Sequence, residues 1–234
     1  MTIFDQPAYI KGPEESDDVI MFGKEPAQEA EDLVNGVARF GGLWRSPSYM
    51  NAYVRAADIL ISSAIDRRAL DDVGLPSFYL QRHATELLVK RLLGWLHEIA
   101  AYKLQSGEDT KGVPTAAQRE LRTGSHNLGK LWQDLNVTAT HFGFAPPPVQ
   151  IGELVAELTA FEKTATWARY ERSEKKGVVI HHVEHEVAVP LLQIQRRLEE
   201  VARLTSYRVG EDDTYEQALY DEWLAYARSA GDAG

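Results

Sequence analysis

Apolar residues recur at intervals of three and four along several separate segments of the chain, which is the spacing of one buried helix face. The clearest segment is SFYLQRHATELLVKRLLGWLHEIAAYKLQ, residues 77–105. Five further segments of this kind begin at Ser46, Ser125, Ile151, Pro190 and Asp213. Serine suits the N-cap of a helix and proline its first turn. The pattern predicts about six substantial helices and no convincing sheet, so the predicted fold class is all-α.

Glycine and proline residues divide these segments. Gly74 and Pro76 are expected to end the first of the long helices. Shorter helices are expected over residues 27–40, closed by Gly41-Gly42, and over roughly 115–122.

The segment ERSEKKGVVIHHVEHEVAVP, residues 171–190, combines a glycine with β-branched residues and predicts a loop or a short extended piece. Most connections are short, so neighbouring helices are expected to run antiparallel. The expected architecture is an antiparallel helical bundle in three parts: an extended N-terminal arm with a short helix (1–45), the bundle (46–206) and a C-terminal helical extension (207–234).

Composition narrows the function classes. With a net charge of −10, the chain lacks the overall positive potential that nonspecific nucleic-acid binding usually requires. A local basic patch is still compatible with this net charge. The absence of cysteine excludes disulfides, thiolate metal sites and a cysteine nucleophile. No apolar run reaches the length of a signal peptide or a membrane span, so we expect a soluble cytoplasmic protein without membrane contact.

Arg82, Glu86 and Lys90 follow one another at four-residue spacing on the helix at 77–105. Alternating charges at this spacing support a helix from its solvated face. The same three side chains are also suited to a polar groove that faces a partner or a nucleotide. The sequence leaves both interpretations open.

One dense basic cluster stands out in this acidic chain. It consists of Arg169, Tyr170, Arg172, Lys175 and Lys176. Such a cluster is suited to a phosphate, an RNA or an acidic partner. Its first residues are equally suited to the C-terminal end of a helix, where positively charged side chains interact favourably with the helix dipole.

The segment IHHVEHE brings together His181, His182 and His185 with two glutamates. Imidazole and carboxylate groups are ordinary zinc ligands, but the spacing matches no zinc signature. A pH-sensitive or partner-facing loop is the alternative. No cofactor is predicted.

Three pieces of the chain, in order, carry a resemblance to a known family. They are FYLQRHATELLVKRLLGWL, then SHNLGKLWQDL with its His-x-Leu-x-x-Leu helix start, then WARYERSEKKG followed by VAVPLLQIQRRLEEV. Over roughly residues 46–206 they resemble the HEPN superfamily (higher eukaryotes and prokaryotes nucleotide-binding), which comprises small helical bundles. Some members are metal-independent ribonucleases of toxin–antitoxin and antiphage systems. Others have lost catalysis and bind RNA, nucleotides or protein partners.

Active members carry an arginine and a histidine separated by four to six residues, paired across a dimer. Arg119 and His126 match this spacing formally. Histidine can move the proton of a ribose hydroxyl, and arginine can hold the phosphate as charge builds. However, Gly124-Ser125 lies between them, and the pair falls at the His-x-Leu helix start rather than at the family's late catalytic helix. At that late position Arg169 has no histidine within range.

The resemblance therefore implies a binding module, non-catalytic or weakly active, that acts as a homodimer or in a hetero-complex with a protein partner. Its setting would be a prokaryotic defence or toxin–antitoxin type system, and its ligand RNA, a nucleotide or a protein. One alternative is a metal-independent endoribonuclease with His126 as general acid or base and Arg119 or Arg169 on the phosphate. Another is a metal-dependent enzyme at His181, His182 and His185.

Overall fold

The computed structural model describes residues 10–11, 20–22, 26–38, 49–105, 107, 124–162, 172–175, 178–181, 183, 185–206 and 213–231. The chain forms two compact units, Met1–Ser48 and Tyr49–Gly234.

In the first unit, two short strands, β1 (Ile10–Lys11) and β2 (Ile20–Phe22), pair antiparallel with a shift in register. Helix α1 covers Pro26–Asn35. It ends at Gly36, whose φ of +66° is a left-handed conformation that glycine adopts without strain. The helix predicted over 27–40 is therefore shorter than expected, because Gly36 and not Gly41-Gly42 closes it.

The second unit is a helical bundle. Its described helices are α2 (Tyr49–Arg67), α3 (Leu70–Gln105), α4 (Leu128–His141), α5 (Val149–Phe161), α6 (Leu191–Thr205) and α7 (Tyr215–Gly231). Strands β3 (Arg172–Lys175) and β4 (Val178–His181) form an antiparallel hairpin. This mostly helical architecture confirms the all-α prediction, and the hairpin confirms an extended piece within 171–190.

Helix α3 is the centre of the bundle, because α2, α4, α6 and α7 all pack against it. Its middle turns are therefore buried on nearly every side. Helix α5 packs against α4 and α6. The terminal helix α7, expected as an extension, lies in the same unit: Trp95 of α3 donates a hydrogen bond to Glu216 of α7 at 3.0 Å.

The boundary between α2 and α3 differs from the prediction. Helix α2 ends at Arg67, and Arg68 adopts a left-handed φ of +56°. Helix α3 then begins at Leu70 and runs through both Gly74 and Pro76. A proline in the second turn forfeits one helical hydrogen bond. The burial of α3 against four neighbouring helices outweighs that cost.

Two further boundaries were also wrong. The side chain of Asn127, and not that of Ser125, caps α4 by accepting a hydrogen bond from the backbone N–H of Lys130 at 2.9 Å. Helix α5 ends at Phe161, where Glu162 turns extended, so the helix expected from Ile151 to residue 170 is interrupted there; residues 163–171 lie outside the described residues. The helix expected over 115–122 lies outside the described residues.

Helices α4 and α5 meet where Gly152 faces the indole of Trp132. A Cβ atom at position 152 would lie 2.7–2.9 Å from three atoms of that ring. Such distances are far inside van der Waals contact, so the absence of a side chain at this position sets the spacing of the two helices.

We expect Gly152→Ala to lower the free energy of unfolding by about 1–3 kcal/mol, because the indole must move in a packed interface. Gly94→Ala is the matched control, since a Cβ there meets nothing within 4 Å. That change should stabilise the protein by about 0.5–1 kcal/mol through helix propensity. Urea unfolding followed by circular dichroism measures both, and equal effects of the two changes would contradict the packing argument.

Candidate functional site

Two oppositely charged side chains lie inside the bundle on α3. Arg82 and Glu86 are each 1% exposed, and the guanidinium Nη1 lies 2.7 Å from the carboxylate Oε2. The expectation of a solvated charged face is therefore wrong for these two residues. The physical reason is the central place of α3, which buries positions that would face water on a peripheral helix.

The Arg82 guanidinium connects three helices. Besides Glu86 on its own helix, it donates from Nε to Glu162, the residue directly after α5. Its Nη2 donates to the backbone carbonyl of His126, which precedes α4. A planar group with several fixed donors suits this task, because each contact fixes a direction as well as a distance.

The Glu86 carboxylate is shared by three donors. Its Oε1 accepts a hydrogen bond from Lys90 Nζ at 2.8 Å and lies 2.8 Å from Nδ1 of His126. Burial by itself raises the pKa of Glu86. Hydrogen bonds from Lys90, Arg82 and His126 outweigh burial and hold that pKa at about 2. The carboxylate is thus ionised at every physiological pH.

The pKa of Glu162 is shifted in the opposite direction. Burial raises its pKa above the ordinary value, and the nearby Arg82 charge lowers it by less. The neighbouring charge of Glu86 adds to the increase. The two carboxylates compete for one arginine, and Glu86 has the stronger set of donors.

His126 is the most exposed member of this cluster, with 48% of its side chain accessible, against 19% for Lys90. A carboxylate bound at Nδ1 fixes the orientation of an imidazole ring and favours the tautomer with the proton on that nitrogen. Nε2 of His126 is then left with the lone pair that accepts a proton. We call Arg82, Glu86, Lys90, His126 and Glu162 the α3 ion cluster.

The predicted catalytic pair is only partly described. Arg119 lies outside the described residues, so its distance to His126 is not defined. The partner that the structure gives to the His126 ring is Glu86, forty positions earlier in the chain. Sequence reasoning missed Glu162, because it sat within a segment that was expected to remain helical.

The basic cluster is also partly described. Arg172 and Lys175 lie on β3, whereas Arg169, Tyr170 and Lys176 are outside the described residues. Of the first residues of this cluster, which were considered for a helix end, Arg172 lies on a strand instead.

His181 ends β4 and His185 follows it; both are exposed, and His182 lies outside the described residues. Within the part of the chain that is described, no three histidine or acidic side chains are grouped so as to hold a metal ion.

A second feature was not foreseen. An open groove of about 1170 Å³ lies between the start of α3, the start of α6, Val183 and residues 186–189. Phe78 and Leu191 are buried beneath it. Five large apolar side chains that line it are between 38% and 49% exposed: Leu70, Leu75, Val183, Val187 and Leu192. Charged groups at its margin include Asp71, Glu186 and Arg196.

Comparison of this chain with protein-family models, with curated proteins and with solved structures finds no match. None of the helices in the described ranges has the combination of length and apolar composition that crossing a membrane requires.

We expect the two carboxylates of the α3 ion cluster to contribute unequally to the stability of the fold. Glu86→Gln would remove the negative charge that faces Arg82 and Lys90 and turn an amide N–H₂ toward donors, and should cost about 3–5 kcal/mol of stability. Glu162→Gln keeps an acceptor for Arg82 and removes a carboxylate whose ionisation is already disfavoured, so it should cost at most about 1 kcal/mol. Thermal and urea unfolding at pH 7 compare the two. Similar losses for both changes would contradict this assignment.

The lowered pKa of Glu86 also predicts an acid transition. A carboxyl group whose folded pKa is depressed stabilises the fold above its unfolded pKa, near 4.5, and this contribution disappears as the pH falls toward about 2. The wild-type protein should lose about 3 kcal/mol across that interval from this group. Glu86→Gln should lack this component in a series of urea titrations, whereas Glu162→Gln should retain it.

Proposed function

We propose that this chain is a HEPN-like helical binding module that receives a protein partner in the apolar groove, as a subunit of a prokaryotic defence or toxin–antitoxin type assembly. The observation that carries the proposal is the exposure of five large apolar side chains in one concave surface. A contiguous apolar concavity of this kind is typical of a binding site.

The chemistry of the α3 ion cluster favours binding over catalysis. Arg82 and Glu86 are fully engaged with each other and with neighbouring helices, so neither is available to a ligand. The polar helix face therefore supports the architecture, and the apolar groove is the surface of the second unit that we assign to the partner.

The groove favours an amphipathic helix as its ligand. Two of its walls are the first turns of α3 and α6, and a third helix laid between two helices buries one apolar stripe. Arg197 is already paired with Glu157 at 3.2 Å. Arg196 has no ion-pair partner among the described residues, so a carboxylate beside the ligand's apolar stripe would suit it.

A photo-crosslinking amino acid placed at Leu192 should capture one protein in cells, and mass spectrometry should identify it. Val137, 58% exposed on α4 and outside the groove, is the control position. Leu192→Glu should abolish binding of the purified, identified partner, while Val137→Glu should leave it unchanged. Identical crosslinks from both positions, or a partner insensitive to Leu192→Glu, would refute binding in the groove.

A second candidate is a metal-independent endoribonuclease, and the half-exposed His126 ring oriented by Glu86 is the observation that favours it. In this alternative His126 moves the proton at Nε2, and Arg119 or Arg169 contacts the phosphate.

Purified protein incubated with structured RNA in EDTA tests this alternative. Cleavage should disappear in His126→Asn, which keeps a hydrogen-bond donor for Glu86 but cannot transfer protons, and should persist in His141→Ala. Absence of cleavage by the wild-type protein, alone or with the product of a neighbouring gene, rejects the ribonuclease.

A further inference from the structure

The β3–β4 hairpin leaves the outer edges of both its strands without a partner strand among the described residues. In the described part of the chain its sheet contains two strands only, with Arg172 opposite His181 and Lys175 opposite Val178. Val178 and Val179 are each more than half exposed. An isolated two-stranded hairpin is marginally stable in water, and a third or fourth strand makes such a sheet stable.

The two edges differ in chemistry. Strand β3 reads Arg-Ser-Glu-Lys, and edge strands with charged side chains are protected against pairing with another chain. Strand β4 reads Val-Val-Ile-His, with three β-branched residues and no side chain of fixed charge. Residues of this kind favour strand pairing. The open edge suited to another strand is therefore that of β4.

The register shows which backbone groups face that edge. Lys175 and Val178 form the last antiparallel pair and are only three positions apart in the sequence, so this pair is a hydrogen-bonded one. Opposite residues of antiparallel strands alternate between hydrogen-bonded and non-hydrogen-bonded pairs. The backbone N–H and C=O groups of Val179 and His181 are then directed away from β3.

We propose that β4 pairs antiparallel with β4 of a second copy of this chain, about a two-fold axis at Ile180, to form a four-stranded sheet. In this register Val179 of each copy exchanges hydrogen bonds with His181 of the other, and the two Ile180 residues form a non-hydrogen-bonded pair.

A second copy fits this edge because the register satisfies the same outward groups on both strands. It also brings no like charges of fixed sign together. This interface is separate from the groove proposed above.

The absence of cysteine from the chain permits a register-specific test. The Cα atoms of a non-hydrogen-bonded antiparallel pair lie about 4.5 Å apart, within the range of about 4.4–6.8 Å that disulfides span. Ile180→Cys in the full chain should therefore form a covalent dimer under mild oxidation. Ser173→Cys is the matched control, because Ser173 is the partner of Ile180 on β3 and lies one strand away from the axis. Equal crosslinking of both variants, or none in Ile180→Cys, overturns the proposal.

Sedimentation velocity over a range of concentrations gives an independent measurement. The wild-type protein should show a concentration-dependent dimer. Val179→Pro removes one outward N–H from β4 and should yield monomer, whereas Glu174→Pro removes the equivalent group from β3 and should leave the dimer. A wild-type protein that is monomeric throughout, or a dimer lost in Glu174→Pro or in Leu192→Glu but kept in Val179→Pro, contradicts pairing at β4.

Discussion

The second unit depends on how the buried charge of Glu86 is compensated. A carboxylate that is 1% exposed is tolerated in a protein interior only when cations and donors surround it. Arg82, Lys90 and His126 supply them, and Arg82 extends the network to Glu162. A buried ion pair adds little net stability compared with a well-packed apolar core. Its contribution is directional, because the start of α4 and the end of α5 must meet α3 at one position to satisfy it.

The sequence revealed the helices more reliably than it revealed their environment. Apolar spacing predicted the long helices, and the segment 171–190 was expected to be a loop or a short extended piece. The boundary at Gly74 and Pro76 was wrong because local propensity is a weak force beside the packing of α3 on four helices. The four-residue spacing of Arg82, Glu86 and Lys90 is the same on a solvated and on a buried helix face, so burial could not be predicted from it.

The groove could not be predicted for a different reason. Its walls come from the start of α3 and, more than a hundred positions later, from Val183, residues 186–189 and the start of α6. No periodic signal connects them. Leu70 and Leu75 did carry a local signal, since both are apolar and lie outside the stripe of the helix predicted at 77–105. Apolar residues without a place in a predicted core are candidates for a binding surface.

The hairpin and the groove are neighbours in the chain, and this links the two proposals. Strand β4 ends at His181, and Val183 and residues 186–189 then line one side of the groove. A two-fold axis at Ile180 would therefore relate two grooves, one in each copy. A partner that itself presents two helices could occupy both, and its second contact would be intramolecular. Under these conditions a weak strand pairing and a modest groove affinity strengthen each other, because binding of a bivalent partner favours the paired state.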